Sequence, residues 1–271
     1  MEIVTSEFFQ RALIGGLLIG ITAPLMGLIL VLRRLSMIGD TLSHATIAGV
    51  ALGFLIDESY ALGMGLVFAL IAALAIEKLR KAYQSYAELS LAIIMAGGIG
   101  LASLLFTMGQ GFTMDVDSFL FGSIYTLTNE DLIIIGIVTG VVLTVLGTQM
   151  KEMFLMAFDE DAAAVSGLPT RIYNVMLSVL TALVITIAIK IVGGLLVSAL
   201  LTIPAACSLA VARSFRSSVV IVVVIGELAV AMGLMIAGVW NLAPGGTIVM
   251  LLIGILLLLL LLRKTASRFS A

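Results

Sequence analysis

Charge is scarce in this sequence. Of its 271 residues only 11% are Asp, Glu, Lys or Arg, while 62% are apolar. Soluble domains run closer to about a quarter charged and about half apolar, so an ordinary soluble enzyme is excluded. A net charge of −2, with no basic patch interleaved with aromatics, argues against a nucleic-acid partner. The single cysteine, Cys207, has no internal disulfide partner, and no Cys/His cluster has zinc-finger spacing. There is no G-x-x-x-x-G-K-[ST] phosphate loop, so any ATP hydrolysis belongs to another subunit. The opening "MEIVTSEFFQR" is acidic where a cleavable signal would be basic, so the first apolar run reads as a retained span.

Long apolar runs are abundant. A membrane helix needs roughly 20 apolar residues to cross about 30 Å of hydrocarbon. Nine runs qualify: 11–32, 38–56, 60–79, 88–108, 130–150, 171–190, 192–212, 218–238 and 246–262. Only "KIVGG" separates the sixth from the seventh, so eight crossings with a broken segment is the alternative. Cationic residues stay on the cytoplasmic side. With the N-terminus outside and the C-terminus cytoplasmic, the inner loops collect Arg33, Arg34, Lys78, Arg80, Lys81, Lys151, Arg171, Arg213, Arg216, Arg263, Lys264 and Arg268, leaving Arg11 and Lys190 outside. The expected fold is an all-α polytopic bundle forming one transmembrane domain over residues 1–271, embedded in membrane lipid. The G-x-x-x-G pairs Gly16/Gly20, Gly49/Gly53 and Gly136/Gly140 read as helix packing.

Two acidic residues, Asp40 and Glu227, lie well inside apolar runs, as does the lone histidine, His44. Flanking markers place all three near mid-span. An intramembrane charge costs about 2.5–3.5 kcal/mol even on the lenient insertion scale. Asp40 and His44 are at i and i+4, on one helix face. Carboxylate plus imidazole suits Zn²⁺, Mn²⁺ or Fe²⁺ rather than K⁺ or an organic solute; the ion is expected as transported cargo, with no permanently bound cofactor. For the pair alone, a cap or a backbone-bonded imidazole serves as well as a ligand role. Glu227 at matching depth favours a transport site, with a proton relay as its functional competitor. Fourteen scattered methionines read as core filler.

The stretch "KEMFLMAFDEDAAAVSGLPTRIYN" (151–174) is the longest expected inner connection. Asp159, Glu160 and Asp161 precede small residues that end at Gly167 and Pro169, which predicts a short capped helix able to dock a motor protein. A solvated loop is the plain alternative.

With "LRRLSMIGDTLSHATIAGVALGF" (32–54), "SFLFGSIYTLT" (118–128), "AFDEDAAAVSGLP" (157–169) and "VGGLLVSALLTIPAACSLAVARSF" (192–215), nearly the whole chain resembles the permease subunits of ABC importers for zinc, manganese and related metals. The resemblance implies a type II importer-like fold and bacterial plasma-membrane residence. It also implies a second permease chain, ABC ATPase subunits and an extracellular metal-binding receptor. It assigns the metal path to Asp40 and His44 and the ATPase-coupling helix to "DEDAAAVSG", with Asp159, Glu160, Asp161, Ala162, Ala163 and Gly167. Some manganese-type members carry a histidine two turns beyond the acid matching Glu227, where this chain has Leu234. Ser43, Ser198 or water would then complete the ligand set. The ion would enter through an outer mouth formed by 109–129 and 239–246. A secondary carrier working without an ATPase is the rival function.

Overall fold

A computed structural model of the chain describes residues 6–83, 86–109 and 119–269. Ten α-helices are delimited among them: α1 (Glu7–Leu32), α2 (Met37–Ile56), α3 (Ala61–Ala82), α4 (Ala87–Met108), α5 (Asn129–Phe158), α6 (Glu160–Val165), α7 (Thr170–Val192), α8 (Val197–Val211), α9 (Phe215–Trp240) and α10 (Pro244–Phe269). Among the described residues eight are long and apolar enough to span a membrane: α1 to α5, α7, α9 and α10.

The ninth expected span, 192–212, is not a full-length helix. Its helical part, α8, has 15 residues, or about 22 Å at 1.5 Å per residue, short of the hydrocarbon thickness. The reason lies at Gly193, whose φ of 89° ends α7. A Cβ there would stand 2.5 Å from the Phe121 carbonyl carbon, so only glycine lets residues 119–121 pack against this break. The expected inner connection also changes. Residues 151–158 continue α5, which leaves helical geometry only at Gln149 (φ −108°, ψ 15°).

Helices α1, α2 and α7 form the centre, each with 72% of its apolar window buried, against 17% for α10. Around α1 stand α5, α7, α8 and α9; α2 lies between α3 and α4. Outward faces stay apolar, as at Ile133 and Ile137 of α5, both over 60% exposed. Such a surface suits lipid rather than water. The expected glycine packing holds at Gly16/Gly20, against Val230, Leu234 and Glu227, and at Gly49/Gly53, against Met64 and Ala61. Gly136 and Gly140 have nothing within 4 Å among the described residues.

Two helices end in tight corners of the same kind. Helix α1 ends in a paired 6→1 and 5→2 closure, with Leu35 N–H donating to Leu30 O at 2.8 Å and Arg34 N–H to Val31 O at 3.0 Å. Arg34 takes the left-handed φ of 57° that this closure needs, a place glycine usually fills. Helix α6 closes the same way. Leu168 N–H donates to Ala163 O and Gly167 N–H to Ala164 O, each at 3.1 Å, with Gly167 at φ 87°.

Candidate metal path and coupling face

Asp40 lies in the first turn of α2, where the helix N-terminus favours a carboxylate. It therefore sits nearer the end of its span than the sequence suggested, while His44, one turn on, is close to the middle. Their side chains share a face: His44 Nε2 and Asp40 Oδ1 are 3.9 Å apart. Both are partly accessible, at 21% and 33%. Ser198, in the first turn of α8, points its hydroxyl at Asp40 Oδ1 over 3.5 Å, a long and weak hydrogen bond. Gly98 of α4 backs the pair, since a Cβ there would come 3.0 Å from the His44 carbonyl carbon. Ser43 is fully buried and its hydroxyl donates to Gly39 O at 2.9 Å, so that donor is spent within α2.

The structure does not bring Glu227 to this pair. It sits mid-way along α9 on the face turned to α1, where the absence of a side chain at Gly20 makes room for it. A Cβ on Gly20 would stand 3.1 Å from Glu227 Oε1. That oxygen is buried and has no hydrogen-bond partner among the described residues. No three His, Cys, Asp or Glu side chains group to hold a metal among the described residues. The expected cluster of three is therefore two plus one among the described residues, with Asp40 in the first turn of α2 and Glu227 midway along α9.

Helix α6 divides sharply. Asp159 caps it, its carboxylate accepting Ala162 N–H at 2.8 Å. Asp161, Ala162 and Gly167 are exposed, and Val165 is 91% exposed. Ala163 is fully buried, so it packs the helix down and leaves no surface to a partner. Glu160 also turns inward. Its Oε2 accepts from Arg33 Nη2 at 3.0 Å, and its Oε1 accepts from Asn174 Nδ2 at 2.7 Å. Burial holds the Arg33 guanidinium below its ordinary pKa, with Glu160 pulling the other way. Beside it, buried Glu77 binds Arg80 at 3.0 Å and the Ser178 hydroxyl at 3.1 Å.

Sequence reasoning passed over these partners, because Arg33 and Glu160 are 127 residues apart and no local spacing announces them. It also left Lys190 as an unexplained cation. Lys190 Nζ bonds Asp131 Oδ1 at 2.7 Å, and Asp131 closes the capping box of α5 with Thr128. This pair helps line a cavity of about 760 Å³ with Asp57, Glu58 and Glu130, at the end of the bundle away from α6. At that same end Tyr125 Oη donates to Asn241 Oδ1 at 3.1 Å, joining the two expected mouth segments; residues 110–118 of the first lie outside the described residues.

A recognised family spans this arrangement from end to end: the ABC 3 transport family matches residues 5–263. The chain belongs to that family. It is 32% identical over 244 residues to the manganese import system permease protein ScaB of Streptococcus parasanguinis, covering 90% of this chain and 86% of that protein. Against the high-affinity zinc uptake system membrane protein ZnuB of Haemophilus influenzae it is 31% identical over 244 residues, covering 90% and 93%. Among solved structures, PsaBC from Streptococcus pneumoniae in complex with Fab matches with a TM-score of 0.84 at 30% identity, over 95% of this chain and 94% of that one. A metal-chelate type ABC transporter chain in an inward-facing conformation matches with a TM-score of 0.71 at 17% identity, over 92% and 85%, which shows a shared fold alone. As an ABC 3 family permease with eight apolar helices, the chain is a multi-pass protein of the plasma membrane.

Proposed function

We propose that this ABC 3 family permease is the membrane-spanning subunit of an ATP-driven importer that moves a divalent metal ion. The relatives named for manganese and for zinc match it almost equally, so the cargo class is Mn²⁺ or Zn²⁺, and Fe²⁺ has no support among them. The reading rests above all on the Asp40–His44 pair. Two donors each about 2.1 Å from a shared zinc ion can stand at most about 4.2 Å apart. The observed 3.9 Å therefore lets one cation touch both after a small shift. With Ser198 as the nearest further oxygen on α8, the chain supplies few ligands. A partly hydrated ion so held can be bound and then released, as transport requires. Glu227 serves the same path as a separate carboxylate, acting when helices α1 and α9 rearrange. Ser43 has no part in this scheme.

The arginines and lysines gathered near α6 make that end cytoplasmic. The N-terminus is then outside, and short α8, with the break before it, completes the traverse that brings the C-terminus inside. A receptor protein delivers the ion at the Tyr125–Asn241 end, an ATPase docks on the exposed side of α6, and a second permease chain completes the complex. The permease is one domain and carries out no hydrolysis itself.

The test is uptake of ⁶⁵Zn²⁺ and ⁵⁴Mn²⁺ by vesicles holding permease, ATPase and receptor. Asp40→Asn and His44→Ala complexes that still assemble are expected to lose uptake on the order of tenfold or more. Wild-type rates in both would remove the site. Uptake by the wild type without ATP would replace the importer reading with a secondary carrier.

A further inference from the structure

The elbow between α1 and α2 is a rigid corner carrying a buried cation. Its paired closure fixes Leu30 to Leu35, and the Arg33 side chain is only 5% exposed. Helix α2 starts at Met37, so Asp40 follows Arg33 by seven residues and His44 by eleven, with just the corner between. Helix α6, for its part, is a six-residue unit capped at both ends, with a fully buried Ala163 and an outer side topped by Val165. Glu160 joins the two. One carboxylate oxygen holds the elbow through Arg33, and the other holds α7 through Asn174.

We infer that the Arg33–Glu160 ion pair is the mechanical link carrying movement of α6 to the metal-bearing helix α2. Glu160 and Arg33 are positioning residues: neither touches the ion. The inference rests on the reading of α6 as the ATPase-docking helix, and the geometry gives it direction. Displacement of α6 pulls on a charge-assisted bond about 3.0 Å long, anchored in a corner that cannot unwind without losing two backbone hydrogen bonds. In the first turn of α2, next to the elbow, the polar contact across to α8 is a weak one, with the Ser198 hydroxyl 3.5 Å from Asp40 Oδ1. A pull at Arg33 therefore slides α2 past α8 at Asp40, changing access to the pair, before it disturbs the tighter α2 packing on α4 at Gly98.

The experiment uses the full complex in vesicles and reads three quantities: ATPase co-purified with the permease, ATP hydrolysed, and ⁶⁵Zn²⁺ or ⁵⁴Mn²⁺ taken up. For Glu160→Gln and Arg33→Gln, co-purification is expected to hold while metal moved per ATP falls on the order of tenfold, the usual size of a coupling between sites. Arg33→Lys, which keeps the charge, should restore most of the ratio. If Arg33→Gln does not assemble, Glu160→Gln carries the test, since that partly exposed side chain keeps its Asn174 bond. An unchanged ratio in Glu160→Gln overturns the link. So does loss of ATPase binding in that variant, which would make Glu160 part of the docking face. A wild-type permease that binds no ATPase would instead refute the docking role of α6.

Discussion

Adding one methyl group at Gly27 should disturb the metal path from the far side of α8. Gly27 is buried in α1 where the backbone of α8 crosses it. A Cβ there would run into the Leu201 carbonyl oxygen and stand 2.5 Å from its carbonyl carbon and 2.9 Å from its Cα. Ordinary contact begins near 3.4 Å, so the Leu201 peptide must retreat by at least about 0.9 Å to clear its carbonyl carbon, and further to clear its oxygen. No side-chain rotation can relieve this, because every clashing atom is main chain. Overpacking of this kind costs about 1–3 kcal/mol, which for a chain of this size lowers the melting temperature by roughly 2–10 °C. Ser198 is three residues before Leu201 and already at the 3.5 Å limit of its contact with Asp40. The same displacement breaks that contact. Gly27→Ala should therefore lower both thermal stability in detergent and metal uptake in vesicles. Gly39→Ala offers a graded comparison: its Cβ would meet the flexible Leu201 Cδ1 at 2.9 Å, and the cost should be smaller. Gly100→Ala, in open space on α4, is the control. A Gly27→Ala protein as stable and active as Gly100→Ala would refute the claim that close α1–α8 packing sets the position of Ser198.

Lys190→Met removes the partner of Asp131, whose side chain is only 8% exposed. A buried charge left without any partner costs about 3–5 kcal/mol; Asp131 keeps its Thr128 bonds, so the loss lies below that, melting should fall, and adding Asp131→Asn should recover part of it; no recovery would mean the loss does not come from the unpaired carboxylate. The turn between α2 and α3 is expected to show a local acid response. Asp57 accepts the Ser59 hydroxyl at 2.6 Å and its N–H at 2.9 Å, and these bonds hold its pKa below the usual 3.8. The stabilisation is thus present above 3.8 and lost only as pH falls through the lower folded value; Ser59→Ala should raise that value in a carboxyl NMR titration.

The eight spanning helices were legible because membrane crossing is a one-dimensional requirement, visible as apolar length. The ninth run was legible as apolar but not as broken: 192–212 is apolar throughout, and hydropathy cannot see that Gly193 turns left-handed against residues 119–121. Asp40 and His44 were readable as a pair because helical spacing alone puts i and i+4 together. Glu227 was readable as a carboxylate inside a span but not as one set apart from the pair, since the face of α9 it occupies is set by the fit of Gly226 against Gly20 and Pro24 of α1. The acidic start of α6 showed that a capped helix would form. It could not show that Glu160 turns inward to Arg33, a partner 127 residues away.

Pro24 gives that arrangement a further meaning. Proline has no amide hydrogen to offer the Gly20 carbonyl one turn back, and Gly226 of α9 nestles against this spot. Helix α1 thus has a pivot about nine residues above Arg33, a lever arm of about 13 Å. The segment above it is fitted at Gly15 against Leu127, Leu132 and Ile191. The lower segment is seated at Gly27 on the Leu201 backbone of α8, so on the inferred link any bending of α1 at Pro24 carries α8 with it.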